Sequence, residues 1–301
     1  MSLGWLALAR GTLDRVAERR RDEDWVTAAW AGCRVLVVDE RGRVPFRLDD
    51  RPRLAFVPAR GAPIGERVLL GVDEDKNAYF AVVATLPEQE GVEVADLRRI
   101  GALLDDVESG MMTHAVAMAL WHATHRHCPR CGARTKVIAA GHVRVCPEDG
   151  MEQYPRLDPA VIMLVTDDDD RVLLARGSAW PEGRASVLAG FLEPGESLEQ
   201  GVAREVYEEV GLRVEDVRYL GSQPWPLPQS LMLGFVCHAP GEQRLRLEES
   251  EIAEARWYTR QDLLTATLAG DLVLPGKVSI ARQLLEHWYG GELPGSWGLG
   301  L

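Results

Sequence analysis

Hydrophobic and polar positions change rhythm several times along the 301 residues of this chain. Before residue 90 the rhythm is that of strands: short apolar runs closed by Gly, Pro, Asp or Asn. Such runs fall at 34–39, 54–57, 68–72 and 77–84, with Glu40-Arg41-Gly42-Arg43 as the turn after the first. Between 94 and 125 the spacing lengthens to three and four. Leu97, Ile100, Leu103 and Leu104 line one predicted helix over 94–104. Met111, Ala115, Met118, Ala119 and Trp121 line another over 110–125. Beyond residue 160 the two rhythms alternate. Strands are predicted at 160–165, 171–175, 185–189, 217–221, 231–237 and 255–258, and helices at 261–268 and 278–288. That succession predicts an α/β/α sandwich on a mixed sheet, behind a mostly β N-terminal region. The charged run 18–24 reads as solvated surface, Cys33 as a small buried apolar residue, and the Gly-rich stretch 291–301 as a loose tail.

The most informative stretch spans residues 190–212, a Gly/Pro-rich loop leading into a helix. Ser197 is its expected N-cap, with Gln200 as capping-box partner, and Gly211 its C-terminal stop. At about 100° per residue, Glu205, Glu208 and Glu209 fall within roughly a third of the circumference. Three like charges on one face repel, so stability alone would not select them. A divalent cation removes the penalty, because hard Mg²⁺ or Mn²⁺ takes oxygen ligands and bridges to phosphates. The plain alternative is a solvated acidic face. The spacing favours the metal: Gly190, Glu196, Arg204, Glu205, Val206, Glu208, Glu209, Gly211 and Leu212 fill G-x5-E-x7-R-E-U-x-E-E-x-G-U, where U is aliphatic.

Two further motifs carry chemistry. Cys128-Pro-Arg-Cys131 is a zinc knuckle, and fourteen residues later Cys146-Pro-Glu-Asp149 stands where a second would be. Aspartate can serve as fourth ligand, His142 or His127 can replace it, and a metal-free remnant is the other alternative; any zinc here is structural. His122, His125 and His127 otherwise suit a polar helix end. The second motif, Ser222-Gln-Pro-Trp-Pro-Leu-Pro-Gln-Ser230, is stiff and extended and presents Trp225.

Composition narrows the remaining options. The chain is 46% hydrophobic and 27% charged with a formal net charge of −12, which speaks against a broad basic surface for nucleic acid. It does not exclude anionic nucleotides, since bound metal supplies local positive charge. No apolar run reaches the roughly 20 residues a membrane span needs, and the N-terminus lacks a secretory pattern, so the cytoplasm is expected. No G-x-S-x-G or P-loop motif occurs.

The 190–212 pattern resembles the Nudix box, and the Ser222–Ser230 segment is similar to the element that marks NADH pyrophosphatases within that superfamily, with Leu227 where Phe is usual. The resemblance implies an α+β chain: an N-terminal domain over 1–125, a zinc-ribbon-like segment over 126–153, and a Nudix domain with a mixed-sheet α/β/α sandwich over 154–290. It implies Mg²⁺ or Mn²⁺ on Glu205, Glu208, Glu209, Glu251 and the carbonyl of Ala189, with Glu251 as ligand or base and Glu249 or Glu254 as competing assignments. Arg204 would hold Glu205 or Glu196 in place. Tyr154 and Phe191 would sandwich a base, Gln223 and Ser230 would bind phosphate or sugar, Trp225 would select the dinucleotide, and a backbone amide near Ala281 would read the base. Zinc would sit on Cys128, Cys131, Cys146 and Asp149. The implied reaction is hydrolysis of NAD(H) to nicotinamide mononucleotide and AMP by a homodimer. The alternative substrates are NAD-capped RNA, which a patch of Arg126, Arg130, Arg134, Lys136 and Arg144 would favour, or ADP-ribose. A ribbon-bearing binding module without catalysis would be favoured by an incomplete box, and this box is complete.

Overall fold

The computed structural model describes residues 2–297, and the chain divides into two compact units. No helix among the described residues is long and apolar enough to cross a membrane.

One unit holds Arg10–Leu157 together with Trp225–Gln229. Its main sheet orders Phe56–Pro58, Arg34–Val38, Ala78–Val83 and Glu66–Val72, the middle two strands parallel. The expected strand at 54–57 divides: Pro52–Leu54 pairs with Val44–Leu48, whereas Phe56–Pro58 pairs with Arg34–Val38. The chain changes sheets at Ala55, whose N–H donates to the Pro45 carbonyl. The helix expected over 94–104 shrinks to Leu97–Ile100, because Asp96 caps it by accepting from the Arg99 N–H and Glu93–Ala95 pairs as a strand. Similarly, the charged run near residue 20 ends in an N-cap, Asp22, which opens the helix Glu23–Ala31. Helix Asp106–Thr124 buries residues around most of its circumference, including Met112, Ala115 and Ala119, as a helix enclosed by its neighbours must. The ribbon adds a small sheet of Lys136–Ile138, Val143–Val145 and Glu152–Gln153.

The other unit holds the residues up to Ala9, Asp158–Pro224 and the chain from Ser230 on. Its six-stranded sheet runs Glu215–Trp225, Ser230–His238, Asp158–Thr166, Val172–Gly177, Ile252–Tyr258, with Leu188–Phe191 paired to Asp158–Thr166. The pairing of Asp158–Thr166 with Ser230–His238 is parallel and that with Leu188–Phe191 antiparallel, so the sheet is mixed as expected. Strand alternation builds the two covering layers. Val161, Met163 and Val165 face helix Leu198–Val210, while Ile162 and Leu164 face helix Ile280–Tyr289. The stretch expected as a loose tail is held as far as Trp297, which pairs with Pro275. Buried Arg282 fastens it by donating to the carbonyls of Leu293 and Gly295. Gly298-Leu299-Gly300 lies outside the described residues.

Candidate active site

The 190–212 stretch folds as strand Leu188–Phe191, a loop, and helix Leu198–Val210. Both halves of the capping box form between Ser197 and Gln200, and Gly211 takes φ 75° as the left-handed terminator. Val202, Val206 and Val210 are fully buried against the sheet. Their i, i+4 spacing fixes the rotation of the helix and turns Glu205, Glu208 and Glu209 towards the loop and the segment that returns after residue 245.

Arg204 organises the carboxylates. Its Nε and Nη2 donate to the two oxygens of Glu196 at 3.0 and 2.7 Å, and Nη1 donates to Glu205 and Glu208 at 2.9 and 2.8 Å. A further bond from Nη2 to the Phe191 carbonyl ties the helix to the strand. Glu196 also accepts from the Glu193 N–H at 2.7 Å, so guanidinium and amide together hold its carboxyl down to about 2. Gly190 is required by contact. A Cβ there would lie 1.9 Å from the carboxyl carbon of Glu205, which lies against the bare backbone beside Ala189.

Glu209 is the anomaly. It is 8% exposed, and its Oε2 has no hydrogen-bond partner. Burial first, then Glu205, Glu251 and Glu208, push its carboxyl up to about 8. Burial also raises Glu205, opposed by Arg204. An unpartnered, desolvated carboxylate oxygen among further carboxylates costs free energy unless a proton or a cation neutralises it. The donor set, all hard oxygen, is the kind that Mg²⁺ or Mn²⁺ takes.

The fourth acid arrives from outside the helix. The segment after residue 245 docks on the end of the helix, with the Arg246 N–H on the Val210 carbonyl at 2.9 Å and the Glu248 N–H on the Glu209 carbonyl at 3.0 Å. Ser178 then pins residues 250 and 251 by donating to both of their carbonyls. Glu251 thereby bears electrostatically on both Glu205 and Glu209. Of the competing candidates, Glu254 instead faces Arg176 across a strand pair. An open cleft of about 520 Å³ separates helix and segment, with Tyr207, Glu208, Arg246, Glu248 and Glu251 on its walls.

The other expected site residues fare differently. Phe191 is 59% exposed at the strand end, and Tyr154, in the other unit, is 62% exposed with its hydroxyl on Glu152 at 2.6 Å. Trp225 is half-buried with the Arg98 guanidinium 5.2 Å from its ring. Gln223 departs from its expected role: it is fully buried, accepting from the Leu8 N–H and donating one amide hydrogen to the Val278 carbonyl, so its amide is turned into the fold. Ser230 is buried where its strand begins, opposite Asp158. The Ala281 N–H, expected to read a base, donates to the capping Ser279 Oγ. Arg144, expected on a basic surface, is buried on Thr135 and His122, and Arg126 pairs with Glu40. Glu248 was missed in sequence because only its position on the cleft wall distinguishes it from other glutamates.

In the ribbon, Cys128, Cys131, Cys146 and Asp149 bring four ligand atoms within 4.8 Å of one another. Asp149 takes the fourth place. His142 is committed to the Leu69 carbonyl at 2.8 Å.

Comparison with known proteins agrees with this geometry. Residues 156–276 match the model of the NUDIX domain, 123–154 that of the NADH pyrophosphatase zinc ribbon domain, and 23–121 that of the NADH pyrophosphatase-like rudimentary NUDIX domain. The chain is 44% identical over 294 residues to the NAD-capped RNA hydrolase NudC of Mycobacterium tuberculosis, covering 93% of this chain and 94% of that one. It is 37% identical over 254 residues to the mitochondrial NAD(P)H pyrophosphatase NUDT13 of Mus musculus, covering 75% of this chain and 72% of that one. The rudimentary domain accounts for the mixed, helix-bearing architecture of the first hundred residues, where no catalytic pattern is visible. With a complete box, a converged carboxylate cluster and full-length relatives at this identity, the chain belongs to the Nudix hydrolase superfamily, in its NADH pyrophosphatase branch.

Proposed function

We propose that this chain hydrolyses the diphosphate of an NAD-type dinucleotide, with the NAD cap of RNA as its preferred substrate and free NAD(H) as a second. The observation that carries the chemistry is the buried, unpartnered Glu209 oxygen amid Glu205, Glu208 and Glu251. The preference for the cap rests on the full-length likeness to relatives named NAD-capped RNA hydrolases, and free NAD(H) is kept because another relative is named an NAD(P)H pyrophosphatase.

Glu205, Glu208, Glu209, Glu251 and the Ala189 carbonyl would hold Mg²⁺ or Mn²⁺. When bound, such ions neutralise the diphosphate and lower the pKa of water. The chain itself supplies positioning. Arg204 fixes the carboxylates, so little reorganisation is needed when charge develops on the phosphoryl oxygens. Glu251, on a pinned loop, accepts the proton of the attacking water as a new P–O bond forms and the bridging P–O bond breaks. The products are nicotinamide mononucleotide and either AMP or a 5′-monophosphate RNA. Phe191, exposed at its strand end, offers a ring for the base. Zinc on Cys128, Cys131, Cys146 and Asp149 would be structural, and a homodimer would be the working form.

The test is Glu209→Gln assayed with Mn²⁺ on NAD-capped RNA, NADH and ADP-ribose. Loss of all turnover with an unchanged circular dichroism spectrum is expected, and retained turnover would overturn the metal assignment. Wild-type enzyme that cleaves ADP-ribose faster than both NAD-type substrates would overturn the substrate assignment.

A further inference from the structure

The carboxylate cleft has a wall that the chemistry above does not use. The segment Arg244-Leu-Arg-Leu-Glu248 alternates: Leu245 and Leu247 pack on the core under the box helix, which turns Arg244, Arg246 and Glu248 outward. Arg246 is anchored through its own N–H on the Val210 carbonyl, and Gly211 permits the approach, since a Cβ there would meet the Arg246 Cβ at 2.9 Å. From the opposite side comes Arg213, held at the backbone by a reciprocal pair of bonds with the Gln243 amide. The two guanidiniums flank Tyr207, 43% exposed, at 5.4 and 5.9 Å from its ring centre. Among the described residues neither Arg213 nor Arg246 has a carboxylate within ion-pair distance. In a chain of net charge −12, these two arginines leave a local positive charge beside the carboxylate cleft.

We propose that Tyr207, Arg213 and Arg246 dock the single-stranded RNA that continues from the capping dinucleotide, taking a base on the tyrosine ring and phosphodiester oxygens on the guanidiniums. An exposed ring interleaved with arginines is how sequence-tolerant single-strand sites are built, because every base has a π-face and every link a phosphate. Glu208, Glu248 and Glu251 share the cleft and repel phosphate, so the anion is confined to the arginine side. Tyr207 lies next to Glu208 in the helix, which puts the dock beside the carboxylate cluster. The dock rests on the proposed activity towards capped RNA, and it separates that substrate from free NAD(H), which has no phosphodiester to offer it.

The experiment compares wild type with Tyr207→Ala and with the double variant Arg213→Ala/Arg246→Ala. The substrates are a short NAD-capped RNA and NADH, both with Mn²⁺, over a range of salt. Expected is a loss of roughly tenfold or more in kcat/KM on the RNA, with NADH turnover within twofold of wild type, which also shows that the variants fold. The salt dependence on RNA should flatten by about 0.7 in log–log slope for each phosphate contact removed. Wild type that cleaves capped RNA while the variants match it on both substrates would overturn the dock and leave the proposed function standing. Equal losses on RNA and NADH would overturn it too, by making these residues part of the fold or of the diphosphate chemistry. Wild type that cleaves NADH and not capped RNA would sink the preference for the cap, and the dock with it, while leaving the diphosphate chemistry standing.

Discussion

Arg204 and Glu196 face each other across the loop–helix junction as a two-bond pair, with N···O distances of 3.0 and 2.7 Å. The same guanidinium reaches Glu205 and Glu208, so one planar group sets the relative positions of three carboxylates. Lysine carries the charge and lacks this fork. Arg204→Lys is therefore expected to lower kcat by about tenfold to a hundredfold, and to raise the Mn²⁺ concentration for half-maximal activity. Steady-state kinetics across a metal titration reads both. An unchanged metal requirement would show that Arg204 does not organise the ligands.

Glu209 makes metal-free stability depend on pH. Its folded pKa, raised to about 8, lies above the ordinary 4.5, so the folded state holds a proton that the unfolded chain gives up. Its contribution to stability without metal is then fully present below 4.5 and is lost as pH rises from there through about 8. Thermal denaturation with chelator should show this decline in wild type and a shallower one in Glu209→Gln. Added Mn²⁺ should raise the wild-type Tm more at pH 8 than at pH 6, with little effect on the variant.

The N-terminal unit is expected to fail in acid. Burial holds His122 and His142 down to about 4 and His114 well below its ordinary range, with Arg144 adding to the effect on His122 and Arg15 and Arg20 to that on the other two. For a base whose pKa is depressed on folding, stability is full above the ordinary 6.5 and is lost as pH falls towards the folded value. Unfolding followed by tryptophan fluorescence should show a steep decline between about pH 6.5 and 4. His142→Gln, which keeps a donor for the Leu69 carbonyl, should make it shallower.

Gln223 is a structural crosspiece here, bonded to Leu8 and Val278 backbone groups. Gln223→Leu should cost about 1–3 kcal/mol by leaving two buried backbone groups unpaired. Denaturant melts would read that loss, while KM for NADH should stay within twofold. A large rise in KM at unchanged stability would return Gln223 to substrate binding.

Asp149 supplies oxygen where zinc ribbons favour sulfur. Asp149→Cys should hold zinc more firmly against a competing chelator, and Asp149→Ala should hold less, with turnover of the zinc-loaded forms unchanged. A protein purified without zinc in all three forms would make the ribbon metal-free.

Local spacing alone determined the box helix, its caps and the alternation of the strand it packs on, because each depends on residues within a turn or a strand of one another. Ser197 with Gln200, and the alternation from Val161 to Val165, are such cases. Tertiary structure alone decided that Glu251 and not Glu254 bears on Glu209, that Gln223 and the Ala281 amide are already committed, and that Arg144 is inside. It likewise closed the supposed tail onto Arg282 and split the strand near Ala55. The physical reason is one of range. A side chain's periodicity shows which way it faces, but whether its polar atoms are free depends on backbone groups that arrive from tens to hundreds of residues away.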